Sequence, residues 1–491
     1  MANMEQDMKN MVTVNYDERL PIKAKIAYGL SQASCNILSG IALGSAITFY
    51  YNIKLGLSEE WISLAWLIFA FWNAINDPLF GILQERINTD MGRRIPVLRF
   101  GAPFYSVIFI ICWFPFMGNT QIALFWNLLL VLFLIDSMFT MIGLVLTALP
   151  AEMCLTQEAR SNLGLYNAVL GASGGFLSAI LPLILLTNES STTLNPLFKP
   201  VMLLVGLVAG TILFLSSFNL VEHEYARTEE SLGFIESIFT TIKNREFLKF
   251  EISNFNRELA FTIIIGAITY FVQYVLMIQG VLASIPLISV FILMLLSSFF
   301  ANWMVKQRGL KQVYILGLIL TSSGLALLFF SGNWFILVLL SFVIIGVGFG
   351  PINLIWTPLI ADIMDYDEML TGKRRETTYA GMNALLTKPA ISIGNALFLL
   401  IISGFGFDNA ISIQTDSALF GIQLGYTLVP ALFLIISAIS LWKLYKLDGK
   451  EWLARKTELA KIHLQKEKEY IEHLRTEGKI SKVYQRLYKE I

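Results

Sequence analysis

In the stretch FWNAINDPLFG, Asn73 and Asp77 stand four residues apart, so on a helix they share one face. Pro78 has no N–H to donate, which leaves the carbonyl of Ala74 without its helical partner. A carboxylate, an amide and a free carbonyl on one short surface can ligate a small hard cation or a proton. The same groups can also hold a kink through an interhelical hydrogen bond. A second stretch, ADIMDYDEMLTGKRRETTYAGMNALLTK from Ala361 to Lys388, runs from acids through three consecutive cations into an apolar helical pattern. It places Tyr379, Asn383 and Thr387 at four-residue spacing, with Lys388 beside Thr387. Lys388 lies about a dozen residues in from the charged end, too deep for easy snorkelling, so it needs protein or water around it. Asp77 is the counter-charge the sequence offers, and the pair reads either as an ion-sensitive clasp or as a fixed salt bridge.

Other polar positions interrupt the apolar runs. Tyr28, Gln32 and Asn36 share a face followed by Ser39, Gly40 and Gly44. Uncharged hydroxyls and amides suit a neutral polar solute, while Gly40 to Gly44 is also a small-xxx-small packing motif. Asp136 is a further acid within an apolar run, open to a functional or a helix-pairing role. Asn256, Arg257 and Glu258 read as charges near the start of a helix more readily than as an inner gate. Asp362 and Asp365 form a D-x-x-D pair that in a prenyl-transfer enzyme would hold Mg²⁺ against a diphosphate, but Lys373, Arg374 and Arg375 offer nearer salt-bridge partners.

These side chains need a scaffold, and composition says which. The 491 residues are 55% hydrophobic and only 15% charged, against about a quarter charged in soluble domains. Apolar runs at 26–51, 60–83, 98–117, 121–148, 163–187, 200–221, 251–277, 281–303, 312–331, 334–360, 377–404 and 423–445 reach the roughly 20 residues of a bilayer span. The expected fold is all-α, a polytopic membrane protein of about twelve transmembrane helices in two six-helix halves, 26–221 and 251–445. A tail at 1–25, a central loop at 222–250 and a charged helical tail at 446–491 complete the chain. Basic residues fall in alternate connections, among them Arg86, Arg93, Arg94, Arg160, Lys243, Arg245, Lys306, Arg308 and Lys311, which predicts cytosolic termini; the membrane expected is the plasma membrane. Lys+Arg and Asp+Glu balance at 36 each, so there is no basic footprint for nucleic acid. Cys35, Cys112 and Cys154 show no metal or disulfide pattern, and no cofactor, catalytic residue or metal site is expected. The partners expected are a small-molecule solute and the lipid bilayer, with the chain a monomer.

Three motifs carry a family resemblance. NAINDPLFGILQERINTDMGRRIP from Asn73 to Pro96, ALPAEMCLTQEAR from Ala148 to Arg160, and the Ala361 to Lys388 stretch resemble signatures of the glycoside-pentoside-hexuronide:cation symporters, the melibiose-permease branch of the major facilitator superfamily. The resemblance implies a secondary active transporter, not an enzyme, moving a sugar- or glycoside-like solute by alternating access with H⁺ or Na⁺. Asp77 matches the family's span 2 aspartate and Lys388 its span 11 lysine. The chain departs from the pattern at Asn73 and Asn36, where melibiose permease has aspartates, and near Gly143, where it has a carboxylate. One strong carboxylate favours a proton over sodium. The expected coupling site is Asp77, Asn73 and Lys388; the expected solute path is Tyr28, Gln32, Asn36, Asp136, Tyr379, Asn383 and Thr387. Arg93, Arg94, Glu152, Arg160, Asp362, Asp365, Arg374, Arg375 and Glu376 are expected to form exposed, individually weak bridges at a cytosolic gate. A lysolipid transporter, an uncoupled facilitator and a transporter-like sensor are the alternatives.

Overall fold

The computed structural model describes residues 20–87, 89, 91–154, 157–188, 192–220, 241–332, 334–372, 375–449, 451–459 and 461–462, except the side chains of 85, 151, 157, 158, 160, 161, 376 and 377. Eleven helices among the described residues are long and apolar enough to cross a membrane. In chain order, with the shorter α3, they are α1 Ile22–Lys54, α2 Glu59–Gln84, α3 Ile95–Ile111, α4 Gln121–Pro150, α5 Asn162–Leu186, α6 Phe198–Asn219, α7 Arg245–Val275, α8 Gly280–Arg308, α9 Leu310–Phe330, α10 Phe335–Thr371, α11 Thr378–Gly404 and α12 Asp416–Leu444. In hydrocarbon every backbone N–H must be satisfied within its own segment, which is why apolar runs of this length become helices. Their 17-residue companion α3 spans about 25 Å, at the lower limit for a crossing.

Local signals set the ends. Thr120 accepts from the Ala123 amide at 3.3 Å, and Asn244 from those of Glu246 and Phe247 at 3.1 and 3.3 Å. Gly309, at φ 83, joins α8 directly to α9. Gly372, at φ 71, ends α10 eleven residues beyond the apolar run that predicts it, its amide bonded to Glu368 O. Asp362, Asp365 and Asp367 therefore lie on a helix and not in a loop. The helix continues because nothing in IADIMDYDEML breaks it before the glycine.

Helices α1–α6 pack chiefly with one another, as in α1–α5, α3–α6 and α2–α4, and α7–α12 do likewise through α9–α10, α8–α10 and α7–α12. The two groups meet mainly through α2 against α11 and α5 against α8. Backbone approach is close where the sequence places small residues. A Cβ on Gly40 would stand 2.2 Å from Ser178 Oγ, and one on Gly174 2.3 Å from the Ala33 carbonyl oxygen. Gly40 is thus a packing residue of α1 against α5.

Candidate functional site: a lysine shared between two groups of helices

Lys388 projects from α11 about 15 Å along the helix from Thr378. Its Nζ contacts Asp77 Oδ1 in an ion pair, donates to Asn76 Oδ1 at 3.1 Å and donates to Thr140 Oγ1 at 3.0 Å. Asn76 passes the connection on, its Nδ2 donating to Asp136 Oδ2. Asn73 holds the backbone, its Nδ2 donating to Lys388 O at 3.2 Å, while its Oδ1 is buried without a partner among the described residues. The Asp77 and Lys388 side chains are 12% and 13% exposed, and Asp136 is buried, so the charges sit in a setting where unpaired ions are expensive. Helix geometry explains the convergence: Asn73, Asn76 and Asp77 share one side of α2, and Asp136 and Thr140 are one turn apart on α4.

Sequence reasoning missed Asn76 and Thr140, although Asn76 adjoins Asp77 and the 136/140 spacing was there to be paired. It also counted one strong carboxylate where the fold assembles two, because the second, Asp136, comes from α4 and joins through Asn76, a contact between helices that no spacing along the chain gives.

The other solute-path residues spread out. Tyr28 is buried, donating to Leu146 O at 3.0 Å and accepting from Gln32 Nε2 at 3.3 Å. Asn36 donates to Gly171 O at 2.9 Å, between α1 and α5. Tyr379 is fully buried against Phe247 and accepts from Asn244 Nδ2 at 2.8 Å, at the start of α7 and α11. Thr387 bonds back to Asn383 O at 2.7 Å, and Asn383 faces Asn254 of α7.

Of the gate residues, Glu152 Oε1 takes Arg93 at 3.0 Å and Arg94 at 3.2 Å, and Arg94 also reaches Gln84 Oε1 at 2.9 Å. Arg375 grips Asp367 with contacts of 2.6 Å and 2.9 Å. Asp362 pairs with Lys456 and accepts from Trp452 Nε1 at 3.1 Å, both from the helical segment after α12. Asp365 has partners of its own. Arg374 and the side chains of Arg160 and Glu376 lie outside the described residues. Each of these bridges stays within one group of helices. The acids are buried and not exposed: Glu152, Asp367 and Asp362 are 6%, 6% and 3% accessible, while Arg93 and Lys456 keep 21% and 32%.

At the opposite end of the bundle the two groups are stitched together. Tyr270 of α7 donates to Asn52 Oδ1 of α1 at 2.9 Å, and Asn52 Nδ2 donates to Glu59 Oε1 at 2.8 Å. Thr269 donates to Ser45 at 3.0 Å, and Ser403 of α11 contacts Glu60 of α2. Gln273 and Asn188 exchange bonds of 2.9 and 3.1 Å. The ring of Phe49 packs edge-on against Tyr270, which in turn meets Phe398 and Phe407.

Comparison with known proteins agrees with this architecture. The family model described as MFS/sugar transport protein matches residues 27–449. The chain is 25% identical over 446 residues to the isoprimeverose transporter of Lactiplantibacillus pentosus, covering 89% of this chain and 91% of that one. It is 22% identical over 441 residues to the glucuronide carrier protein homolog of Escherichia coli (strain K12), covering 89% and 95%. Among solved structures, a D-xylose-proton symporter superposes with a TM-score of 0.65 at 13% identity, covering 86% of this chain and 98% of that one, and the nucleoside transporter NupG with 0.59 at 13%, covering 87% and 100%. These structures share its fold.

Proposed function

Because the chain belongs to the glycoside-pentoside-hexuronide:cation symporter family, we propose that it is a secondary active transporter of a small sugar-like solute, working by alternating access. The observation that carries this reading is Lys388, a lysine of one helix group held by Asp77, Asn76 and Thr140 of the other at membrane depth. The groups α1–α6 and α7–α12 act as the two bodies that rock around it. The end with the basic connections faces the cytosol, and the protein sits in the plasma membrane with its termini inside.

Coupling follows from charge balance. Asp77 and Asp136 face one lysine, so the cluster holds one negative charge more than it neutralises when all three are ionised. A proton or Na⁺ arriving at Asp77 competes with Lys388 and loosens the clasp across the groups. Asp77, Asn73 and Lys388 are the coupling residues, with Asn76, Asp136 and Thr140 positioning them.

The test is uptake of isoprimeverose, the solute named for one relative, into sealed vesicles containing the protein. Accumulation should follow an imposed pH or Na⁺ gradient and be lost in Asp77→Asn. Uptake indifferent to both gradients and to that substitution would remove the coupling claim; binding without uptake would mark a sensor.

A further inference from the structure

Away from the clasp, α1 and α6 enclose a groove on the outer face of the bundle. Ile22 begins α1 and Asn219 ends α6, and the two helices pack together, so their termini meet at the basic end. The groove between them measures about 340 Å³. Ile26, Leu30, Ile212 and Leu215 make its inner part apolar, and Lys23, Ser216 and Asn219 make its mouth polar. Leu30 lies about 10 Å along α1 from Lys23, and Ile212 about as far along α6 from Asn219. Ile26 and Leu215 are 41% and 56% exposed, so the apolar part opens sideways, toward hydrocarbon.

Polar capacity is left over at the mouth. Among the described residues, the side chains of Lys23, Ser216 and Asn219 make no hydrogen bond or ion pair. Lys23 and Asn219 are partly open to solvent, but Ser216 is only 6% exposed, and a hydroxyl buried that far is normally paired. No side chain caps the start of α1, which leaves the positive end of the helix open beside Lys23. A second cation stands next to the mouth. Arg99 donates to Ser217 Oγ and to Ser217 O at 3.1 Å each and lies 4.0 Å from the Phe218 ring centre, with no acid among the described residues to balance it.

We propose that this groove holds one anionic phospholipid of the leaflet at the basic end. Its phosphate sits against Lys23 and the start of α1, its ester oxygens accept from Ser216 Oγ and Asn219 Nδ2, and one acyl chain lies along Ile26, Leu30, Ile212 and Leu215. Basic mouths between membrane helices select such headgroups. A zwitterionic headgroup fits less well, because its ammonium meets Lys23 and Arg99. Since α1 and α6 belong to the same group of helices, the lipid travels with that body when the groups move. The site needs only that the chain spans a bilayer, and it is independent of which solute or ion is carried.

Purified full-length protein in detergent is titrated with dioleoyl phosphatidylglycerol, dioleoyl phosphatidylcholine and glycerol 3-phosphate, and bound molecules are counted by native mass spectrometry. One phosphatidylglycerol should be retained at concentrations where phosphatidylcholine is not. Lys23→Gln should weaken that binding about fivefold, the weight of one basic residue beside an anionic headgroup, and Lys23→Arg should keep it. Ile212→Trp, which fills the apolar part, should abolish it; if that variant fails to fold, Lys23→Gln and Ser216→Ala decide, both expected to unfold near the native temperature without lipid. Equal retention of the two lipids, or unchanged affinity in Lys23→Gln, would mark ordinary bilayer solvation and overturn the proposal. So would glycerol 3-phosphate binding as tightly as the lipid, which would make this a free-anion site. A Lys23→Gln protein less stable without any lipid would show that an acid of the chain itself occupies the mouth, and would equally remove the lipid site.

Discussion

Lys388 and Asp77 illustrate why a buried pair is informative at the scale of single residues. Removing one partner strands the other at a site where each side chain is little more than a tenth exposed, a change that costs about 3–5 kcal/mol in buried pairs. Lys388→Met should therefore destabilise the protein strongly, and the double variant Lys388→Met with Asp77→Asn should recover part of that loss, since it removes the stranded Asp77 charge and leaves only Asp136, which keeps its hydrogen bond from Asn76. Gradient-driven uptake should stay absent in both. Thermal unfolding and vesicle uptake measured on the two variants separate stability from coupling, and equal unfolding temperatures for single and double would show that the two side chains do not act as a pair. The motifs made both residues legible. Asn76 and Thr140 were not legible as partners, because a polar residue's neighbour on another helix depends on how far each helix slides and turns.

At the scale of elements, two features belong to packing. The α1–α5 contact depends on the missing side chain at Gly174, where a Cβ would press on the Ala33 carbonyl, a backbone atom that cannot move aside. Gly174→Val should cost at least about 1–3 kcal/mol in unfolding stability. Gly164→Ala, with open space around the new methyl, should be neutral or gain up to about 1 kcal/mol, and equal effects at the two sites would refute the close contact. The second feature is the segment after α12. The sequence reads as a solvated, mixed-charge helix, yet Trp452 is buried and, with Lys456, covers Asp362 of α10, while Leu453 stays exposed. Truncation after Gly449 should lower the unfolding temperature, and Asp362→Asn in the truncated chain should restore part of it. A truncated chain that unfolds like the full one would show the docking to be incidental. Nothing in the periodicity of residues 446–462 separates docking from solvation, since an Asp ninety residues earlier supplies the partner.

For the whole molecule, the stitched end tells which opening has to be made. The bonds Tyr270–Asn52, Thr269–Ser45 and Ser403–Glu60 join the two groups, whereas the described ion pairs at the basic end each stay within one. Opening the stitched end must break those contacts and separate the aromatic rings around Tyr270. Asn52→Ala combined with Tyr270→Phe should raise labelling of a reporter cysteine at Thr269 several-fold by a membrane-impermeant thiol reagent. The native cysteines are all buried, so background labelling is low. Labelling that stays at the level of the reporter alone would show that this network does not hold the end shut.

The sequence by itself determined the class of molecule, the approximate positions of its membrane helices, its family, and the two charged residues that could not be left in hydrocarbon without a reason. Those follow from local quantities: the length of apolar runs, the cost of a buried charge and the spelling of long motifs. Only the tertiary structure decided that Asp136 joins Asp77 around Lys388, that the expected gate bridges lie within each group of helices, and that Asp362 belongs to the segment after α12. Such pairings are set by which helix faces meet and at what height. No spacing along one chain encodes that height, because it is settled by the packing of all the helices together.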